Sequence, residues 1–232
     1  MKSRKHKFII TMLLCILLLL INVGYLSNYT AMIQKTFART IVIDPGHGGK
    51  DGGASGVTGT VEKDINLAIS QKLQGYIEAN ADVCIMTRET DTGLYEASST
   101  KWVKSMDLKK RKEIVNTSRG DIFVSIHLNS FPQQQYYGAQ VFYQAGNEQS
   151  KLLAESVQKQ MVNVLDPDNK RVAKASDTYY ILKNNAMPSI IVECGFLSNP
   201  AEEKLLKNEN YQNKIAYAIY TGILKYFEGG KQ

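Results

Sequence analysis

The chain has 232 residues, of which 44% are hydrophobic and 22% charged, and this composition excludes general disorder. Its formal net charge is +6, but the first seven residues hold four of the 28 basic side chains and no acid. The remaining chain carries 24 basic against 22 acidic residues, which excludes a nucleic-acid-binding function based on overall charge.

The N-terminus has the pattern of a segment that enters a membrane. The basic sequence MKSRKHK is followed by an uncharged stretch at 8–26, close to the roughly 20 residues needed to span a bilayer. Because no convincing small-residue cleavage site follows, we favour an uncleaved signal anchor over a cleaved secretory signal. Either alternative predicts that the rest of the chain lies outside the cytoplasm.

After this signal or anchor segment and its spacer (1–39), we expect one domain at 40–228 and a short tail at 229–232. Short apolar runs predict strands at 40–44, 82–87, 121–128, 139–144, 179–183 and 189–194. Amphipathic patterns predict helices at 62–79, 107–118, 148–165 and 208–227, with an irregular stretch at 91–107. Because apolar strands alternate with helices, we predict an α/β fold: a twisted, mostly parallel sheet of about six strands, covered by helices on both faces.

Two histidines are expected at the same edge of this sheet. The sequence IVIDPGHGG at 41–49 places His47 in a glycine-rich loop just after the first strand. His127 lies near the carboxyl end of the strand at 121–128, and the carboxyl ends of parallel strands are where open α/β sheets bind ligands. A hydrogen-bonded core histidine is the alternative for each.

A carboxylate is expected in the buried face of the helix that follows the glycine loop. With Thr60 as its N-cap, the helix has an apolar face that includes Ile65, Ile69 and Leu73, and Glu62 falls in the middle of that face. Glu62 could instead complement the helix N-terminus. An inward carboxylate, however, needs a cation or hydrogen-bond donors, because unpaired burial costs several kcal/mol.

Two imidazoles and one carboxylate form a ligand set that holds catalytic Zn²⁺ with a fourth position open for water. Glu193 ends the apolar strand at 189–194, on the face opposite Ile190 and Val192, and is the candidate proton acceptor and donor. Asn129 shares the face of His127 and is a candidate substrate contact or a structural hydrogen-bonding group.

The chain resembles the zinc-dependent N-acetylmuramoyl-L-alanine amidases of bacterial cell walls. The matching segments, in the order of the family, are IDPGHGGKDGGASG, EKDINLA, MTRETD, DLKKRKEIVN, SIHLNS and YYILKNNAMPSIIVECGFLSNPAEEKLL. The N-terminus and the C-terminal segments look most like the germination-specific spore-cortex members. The resemblance implies one zinc ion held by His47, Glu62 and His127, with Glu193 as the catalytic acid and base. We assign Arg88 and Arg111, which match family positions, packing or loop-anchoring roles.

The resemblance also implies the reaction and its setting. The substrate would be peptidoglycan glycan strands with stem peptides, cleaved between N-acetylmuramic acid and L-alanine. In the spore cortex, this cleavage prepares muramic acid for a deacetylase and for the muramic-δ-lactam needed in germination. The expected location is extracytoplasmic, on the intermembrane or cortex side of the developing spore, and the expected partner is a membrane-proximal or lipoprotein activator. The alternatives are a zinc peptidase acting on wall peptides and a non-catalytic wall-binding or partner-binding protein.

Overall fold

A computed structural model of the chain describes residues 12–23, 25–26, 38–95 and 104–229. The chain separates into two units, Met1–Ala38 and Arg39–Gln232. In the first unit, residues 12–23 are helical, and the predicted apolar segment at 8–26 lies partly outside the described residues. Within the described ranges, no helix combines the length and apolarity that crossing a membrane requires.

The second unit is built on a sheet whose strands are Thr40–Pro45 (β1), Val83–Met86 (β2), Ile122–Asn129 (β3), Gln140–Gln144 (β4), Lys174–Ser176 (β5) and Ser189–Phe196 (β6). Their order across the sheet is β2-β1-β3-β6-β4-β5, and only the β4–β6 pairing among them is antiparallel. The helices are Glu62–Ala79 (α1), Lys104–Thr117 (α2), Glu148–Leu165 (α3), Pro200–Leu206 (α4) and Glu209–Gly229 (α5).

The two faces of the sheet carry cores of unequal size. Helices α1, α3 and α5 pack on one face, where Ile43, Val124 and Val192 belong to the larger core. On the other face, Phe123 and Ile191 pack against α2 and a short 3₁₀ turn at Tyr180–Leu182. Side chains alternate along each strand. The strand residues that share this second face therefore include the polar side chains at the carboxyl edge of the sheet.

The predicted α/β class with a six-stranded, mostly parallel sheet is confirmed. The strand predicted at 179–183 is wrong, because this segment forms the 3₁₀ turn. The strand that completes the set of six is β5 instead. Ile181 and Leu182 are both buried in the smaller core, and a strand would send two successive side chains to opposite faces. The sequence patterns also missed α4, and α2 begins at Lys104 rather than at 107.

The predicted N-cap Thr60 is also wrong. Val61 occupies the cap position, because a bridge between Ser55 and Val61 keeps the chain extended for one more residue. Carbonyls of the glycine loop accept from the first turn of α1 instead, with Glu62 N donating to Ala54 O at 3.0 Å. The loop therefore fixes the first residue of α1 directly.

Candidate active site

Three potential metal ligands converge at the carboxyl edge of the sheet. His47 follows β1, Glu62 begins α1 and His127 lies near the end of β3. The His47 Nε2 atom is 3.3 Å from Glu62 Oε2, and His127 Nδ1 is 3.0 Å from Glu62 Oε1. The two imidazole rings meet edge to face, with centroids 5.0 Å apart. The structure thus brings together the three side chains predicted from distant parts of the sequence.

The carboxylate of Glu62 is buried and saturated with hydrogen bonds. Its Oε1 accepts from Leu128 N and Asn66 Nδ2, at 3.0 and 3.2 Å, and its Oε2 accepts from Ala54 N at 2.8 Å. Burial alone would raise the pKa of Glu62, but hydrogen bonds with the two imidazoles outweigh burial and hold that pKa well below its usual range. Glu62 is therefore charged and fixed in one orientation.

Two glycines of the loop leave the space that these ligands occupy. A Cβ atom at Gly46 would overlap the ring of His127. Gly53 adopts a φ of +71°, and a Cβ atom there would lie 2.7 Å from the His47 ring and would crowd Glu62. His47 itself has a φ of +63°, a left-handed conformation that is uncommon for a residue other than glycine.

Two buried arginines hold the glycine loop in this conformation. Arg88 donates to the carbonyls of Pro45 and Gly46, at 2.9 and 3.0 Å. Arg111 donates to Pro45 O at 2.8 Å and also to the carbonyl of His47. The predicted loop-anchoring role of both arginines is confirmed by these contacts.

Glu193 lies beside the three ligands with one oxygen atom unoccupied by the protein. It pairs with His127 in the β3–β6 register and is 7% exposed. The Tyr179 hydroxyl donates to its Oε1 at 3.2 Å, whereas Oε2 has no hydrogen-bond partner among the described residues. Burial and the negative charge of Glu62 raise the pKa of Glu193, although nearby imidazoles and Tyr179 oppose the change.

These groups line a cavity of about 430 Å³. His47, Glu62, His127 and Glu193 line it together with residues of α2 and the turn at 178–181. A larger cavity of about 490 Å³ lies beside α3, and none of these four side chains lines it. The smaller cavity is the one with the arrangement of groups needed for hydrolysis.

The donor set fits a divalent metal ion. Two ring nitrogens and one carboxylate oxygen from His47, Glu62 and His127 lie within 4.8 Å of one another. Bonds of about 2.0–2.2 Å to one tetrahedral ion separate its ligand atoms by about 3.3–3.6 Å. The 3.3 Å between His47 Nε2 and Glu62 Oε2 agrees with that spacing. The unpaired buried oxygen of Glu193 marks where a water or a substrate atom would be accepted.

The other predicted site residue, Asn129, does not line this cavity. A register shift follows His127 in β3, and the Asn129 side chain accepts a hydrogen bond from Ser130 N at 2.9 Å. Sequence reasoning missed Asp51, whose Oδ2 is 2.9 Å from His47 Nδ1, and Tyr179. Asp51 has a signal, because it is the only acid of the glycine loop; Tyr179 lies in the segment wrongly predicted as a strand.

Comparison with known proteins identifies similar sequences and folds. The profile of the family described as Amidase_3, N-acetylmuramoyl-L-alanine amidase, matches residues 41–225. The "Germination-specific N-acetylmuramoyl-L-alanine amidase" of Bacillus subtilis (strain 168) is 38% identical over 191 residues, which cover 82% of this chain and 80% of that protein.

Solved structures agree with the sequence comparison. The CwlD amidase from Clostridioides difficile, determined in complex with the GerS lipoprotein, is 48% identical with a TM-score of 0.81, covering 82% of this chain and 99% of that one. An N-acetylmuramoyl-L-alanine amidase from Clostridium difficile 630 is 35% identical with a TM-score of 0.72, covering 82% and 97% of the two chains.

Proposed function

Because the chain belongs to the N-acetylmuramoyl-L-alanine amidase family, we propose that it hydrolyses the amide bond between N-acetylmuramic acid and L-alanine in peptidoglycan. The observation that carries the proposal is the convergence of His47, Glu62 and His127 in one cavity with the buried carboxylate of Glu193. We assign the reaction to a catalytic domain at residues 40–228.

We propose that His47, Glu62 and His127 hold one Zn²⁺. Two imidazoles and a carboxylate are the protein ligands of several catalytic zinc sites, which keep a fourth position open. When bound, zinc supplies a water of lowered pKa and polarises the substrate carbonyl. Asp51 Oδ2 lies 2.9 Å from His47 Nδ1, and its negative charge would favour the ring orientation in which Nε2 faces Glu62.

Glu193 is the proposed general base and general acid. Tyr179 holds its Oε1, which leaves Oε2 to take a proton from the attacking water as the new carbon–oxygen bond forms. The same carboxyl then gives that proton to the alanine nitrogen as the carbon–nitrogen bond breaks. The raised pKa of Glu193 suits a group that must both accept and donate a proton.

We further propose that the substrate is spore-cortex peptidoglycan. The Bacillus subtilis relative is named a germination-specific amidase, which supports this setting. Cleavage by the present chain would be the first step toward the muramic-δ-lactam, with a muramic-acid deacetylase acting in the same pathway. The enzyme would work outside the cytoplasm, anchored or secreted, on the cortex side of the developing spore. The lipoprotein complex of the Clostridioides difficile relative supports a lipoprotein activator at the membrane surface.

The test combines product analysis with a Glu193→Gln variant. The wild-type chain should release peptides with free L-alanine amino termini from purified peptidoglycan and leave peptide-free muramic acid. Glu193→Gln should retain one zinc per chain and lose at least about 10²-fold in turnover, the usual contribution of a general base. Glu113→Gln, at an α2 side chain that is 60% exposed, is the matched control and should behave as the wild type does.

Three results would contradict the proposal. Products cleaved within the stem peptide would indicate a zinc peptidase instead. Binding to the wall without turnover by the zinc-loaded wild type would indicate a non-catalytic protein. Full activity of Glu193→Gln would remove Glu193 from the mechanism.

A further inference from the structure

The segment that joins β3 to β4 exposes three aromatic side chains. We call residues 129–138 the aromatic loop; Phe131, Tyr136 and Tyr137 in it are 44%, 42% and 53% exposed. Large aromatic side chains of this exposure, when they are clustered, are typical of binding surfaces rather than of ordinary solvent-facing loops.

Hydrogen bonds and ring packing hold the aromatic loop in one conformation, so its rings are preorganised. Ser198 Oγ accepts from Phe131 N at 3.0 Å, and Arg171 Nε donates to Tyr137 O at 2.8 Å. The ring of Phe131 packs edge to face on the rings of Tyr136 and the buried Phe196, with centroids 5.3 Å apart in both pairs. A surface fixed in this way loses little conformational entropy when a ligand binds.

The aromatic loop starts at the same carboxyl edge of the sheet as the proposed active site. Phe131 follows His127 by four residues at the carboxyl end of β3. Phe196, on which Phe131 packs, follows Glu193 by three residues in β6. A chain-like substrate that places one bond in the cavity would therefore extend along this edge of the sheet.

The chemistry of the aromatic loop suits sugars better than stem peptides. Its sequence, NSFPQQQYYG, contains no charged residue, and its other polar side chains are amides and one hydroxyl. A glycan strand of peptidoglycan offers apolar C–H faces on its sugar rings, with hydroxyl and N-acetyl groups at their edges. A stem peptide carries ionised groups, for which this loop provides no opposite charge.

We propose that the aromatic loop binds the glycan strand next to the cleaved muramic acid, with the rings of Phe131, Tyr136 and Tyr137 stacking on sugar faces. This inference rests on the proposed function and names the part of the substrate that the loop contacts. Asn129 begins this loop, and we include it in the proposed substrate-binding surface.

The experiment measures binding of peptide-free glycan strands to the full-length Glu193→Gln chain by calorimetry. In that background, Tyr137→Ala and Phe131→Ala should each weaken binding by about tenfold, the effect of returning about 55 Å² of apolar surface to water. Tyr217→Ala is the matched control, because Tyr217 is 46% exposed and packs on Tyr76 at the far end of α1. It should leave glycan binding unchanged.

A kinetic measurement separates this inference from the proposed function. In the otherwise wild-type chain, Tyr137→Ala should raise KM for long glycan strands several-fold more than it raises KM for a single muramoyl-peptide unit. Because Tyr137 is the most exposed of the three rings, its truncation leaves the packed pair of Phe131 and Tyr136 in place.

Equal glycan affinity of Tyr137→Ala, Phe131→Ala and the parent chain would overturn the inference. Loss of binding to a lipoprotein partner with unchanged glycan binding would also overturn it and would assign the aromatic loop to that partner. Neither outcome would alter the products of the wild-type enzyme, on which the proposed function is judged.

Discussion

Replacement of Arg111 by Met should destabilise the domain and disturb the glycine loop. Arg111 is 2% exposed and donates to Asp44 Oδ1 at 2.7 Å and to Asp107 Oδ2 at 2.6 Å, besides its bonds to Pro45 and His47. Methionine has a similar length and no donor. Arg111→Met therefore leaves two buried carboxylates without their cation.

The magnitude follows from the pKa of Asp44. Burial alone would raise this pKa, but the charge of Arg111 and hydrogen bonds from Thr87 and Ser125 lower it from 3.8 to about 2. This net lowering of the pKa corresponds to about 2 kcal/mol. Since Asp107 also loses its partner, we expect a loss of about 3–5 kcal/mol in the free energy of unfolding. For a domain of this size, Tm should fall by about 6–20 °C.

The loss should depend on pH in a definite direction. In the wild type, the lowered pKa of Asp44 means that its stabilisation is present above pH 3.8 and is lost as the pH falls toward 2. In Arg111→Met, burial without a cation raises the pKa of Asp44, so acid relieves the unpaired charge. The stability difference between wild type and variant should therefore shrink between pH 7 and pH 4.

Thermal unfolding followed by circular dichroism at both pH values is the assay. Lys109→Met, at an exposed position of the same helix, is the control. If Arg111→Met unfolds within about 0.5 kcal/mol of Lys109→Met at pH 7, the buried network does not stabilise the fold as argued.

Three further predictions concern metal binding, each measured on purified protein. Gly46→Ala should weaken zinc binding at least tenfold in chelator competition, because the added Cβ atom displaces the ring of His127. Gly75→Ala is the control and should leave zinc binding unchanged, because a Cβ atom there meets nothing within 4 Å. Glu203→Gln should weaken zinc binding by about tenfold, because this buried carboxylate accepts from the backbone at residues 58 and 60, just before Glu62. Zinc at 100 times its Kd should stabilise the wild type by about 2.7 kcal/mol and should not stabilise Glu62→Gln.

Each of these has an outcome that contradicts it. Normal zinc affinity in Gly46→Ala would show that the His127 ring can move without loss of the metal. If Glu203→Gln lowers Tm but leaves zinc affinity unchanged, Glu203 stabilises α4 only and does not position Glu62. A rise in Tm with zinc in Glu62→Gln would remove that carboxylate from the ligand set.

The sequence alone predicted where the proposed metal ligands Glu62 and His127 lie, because simple periodicities govern their positions. The 100° step of a helix put Glu62 in the buried face of α1, and the structure finds it 3% exposed. The alternation of strands put Glu193 on the face opposite Ile190 and Val192, and in the structure it is the direct partner of His127 in the β3–β6 register. The family and the enzyme class expected from the ordered motifs are confirmed as well.

Contacts made by irregular segments could not be predicted in this way. The hydrogen bond of Tyr179 to Glu193 depends on the 3₁₀ turn, whose apolar run has the same composition as a buried strand. Capping of α1 by backbone carbonyls of the glycine loop has no side-chain signature, so the sequence suggested Thr60 instead. Both depend on hydrogen bonds between an irregular segment and a neighbouring element, which no helix or strand periodicity describes.

The conformation of His47 explains why so much of the buried polar network converges on one short loop. A residue with a side chain at φ +63° is less stable than glycine there by about 1 kcal/mol or more, so the loop would relax if it were free. Arg88 and Arg111 prevent this by binding three successive carbonyls, from Pro45 to His47. Glycine cannot replace His47 without removing the imidazole. The two arginines therefore act on the proposed metal site through the backbone, and we expect their truncation to reduce zinc affinity even though neither side chain is a proposed ligand.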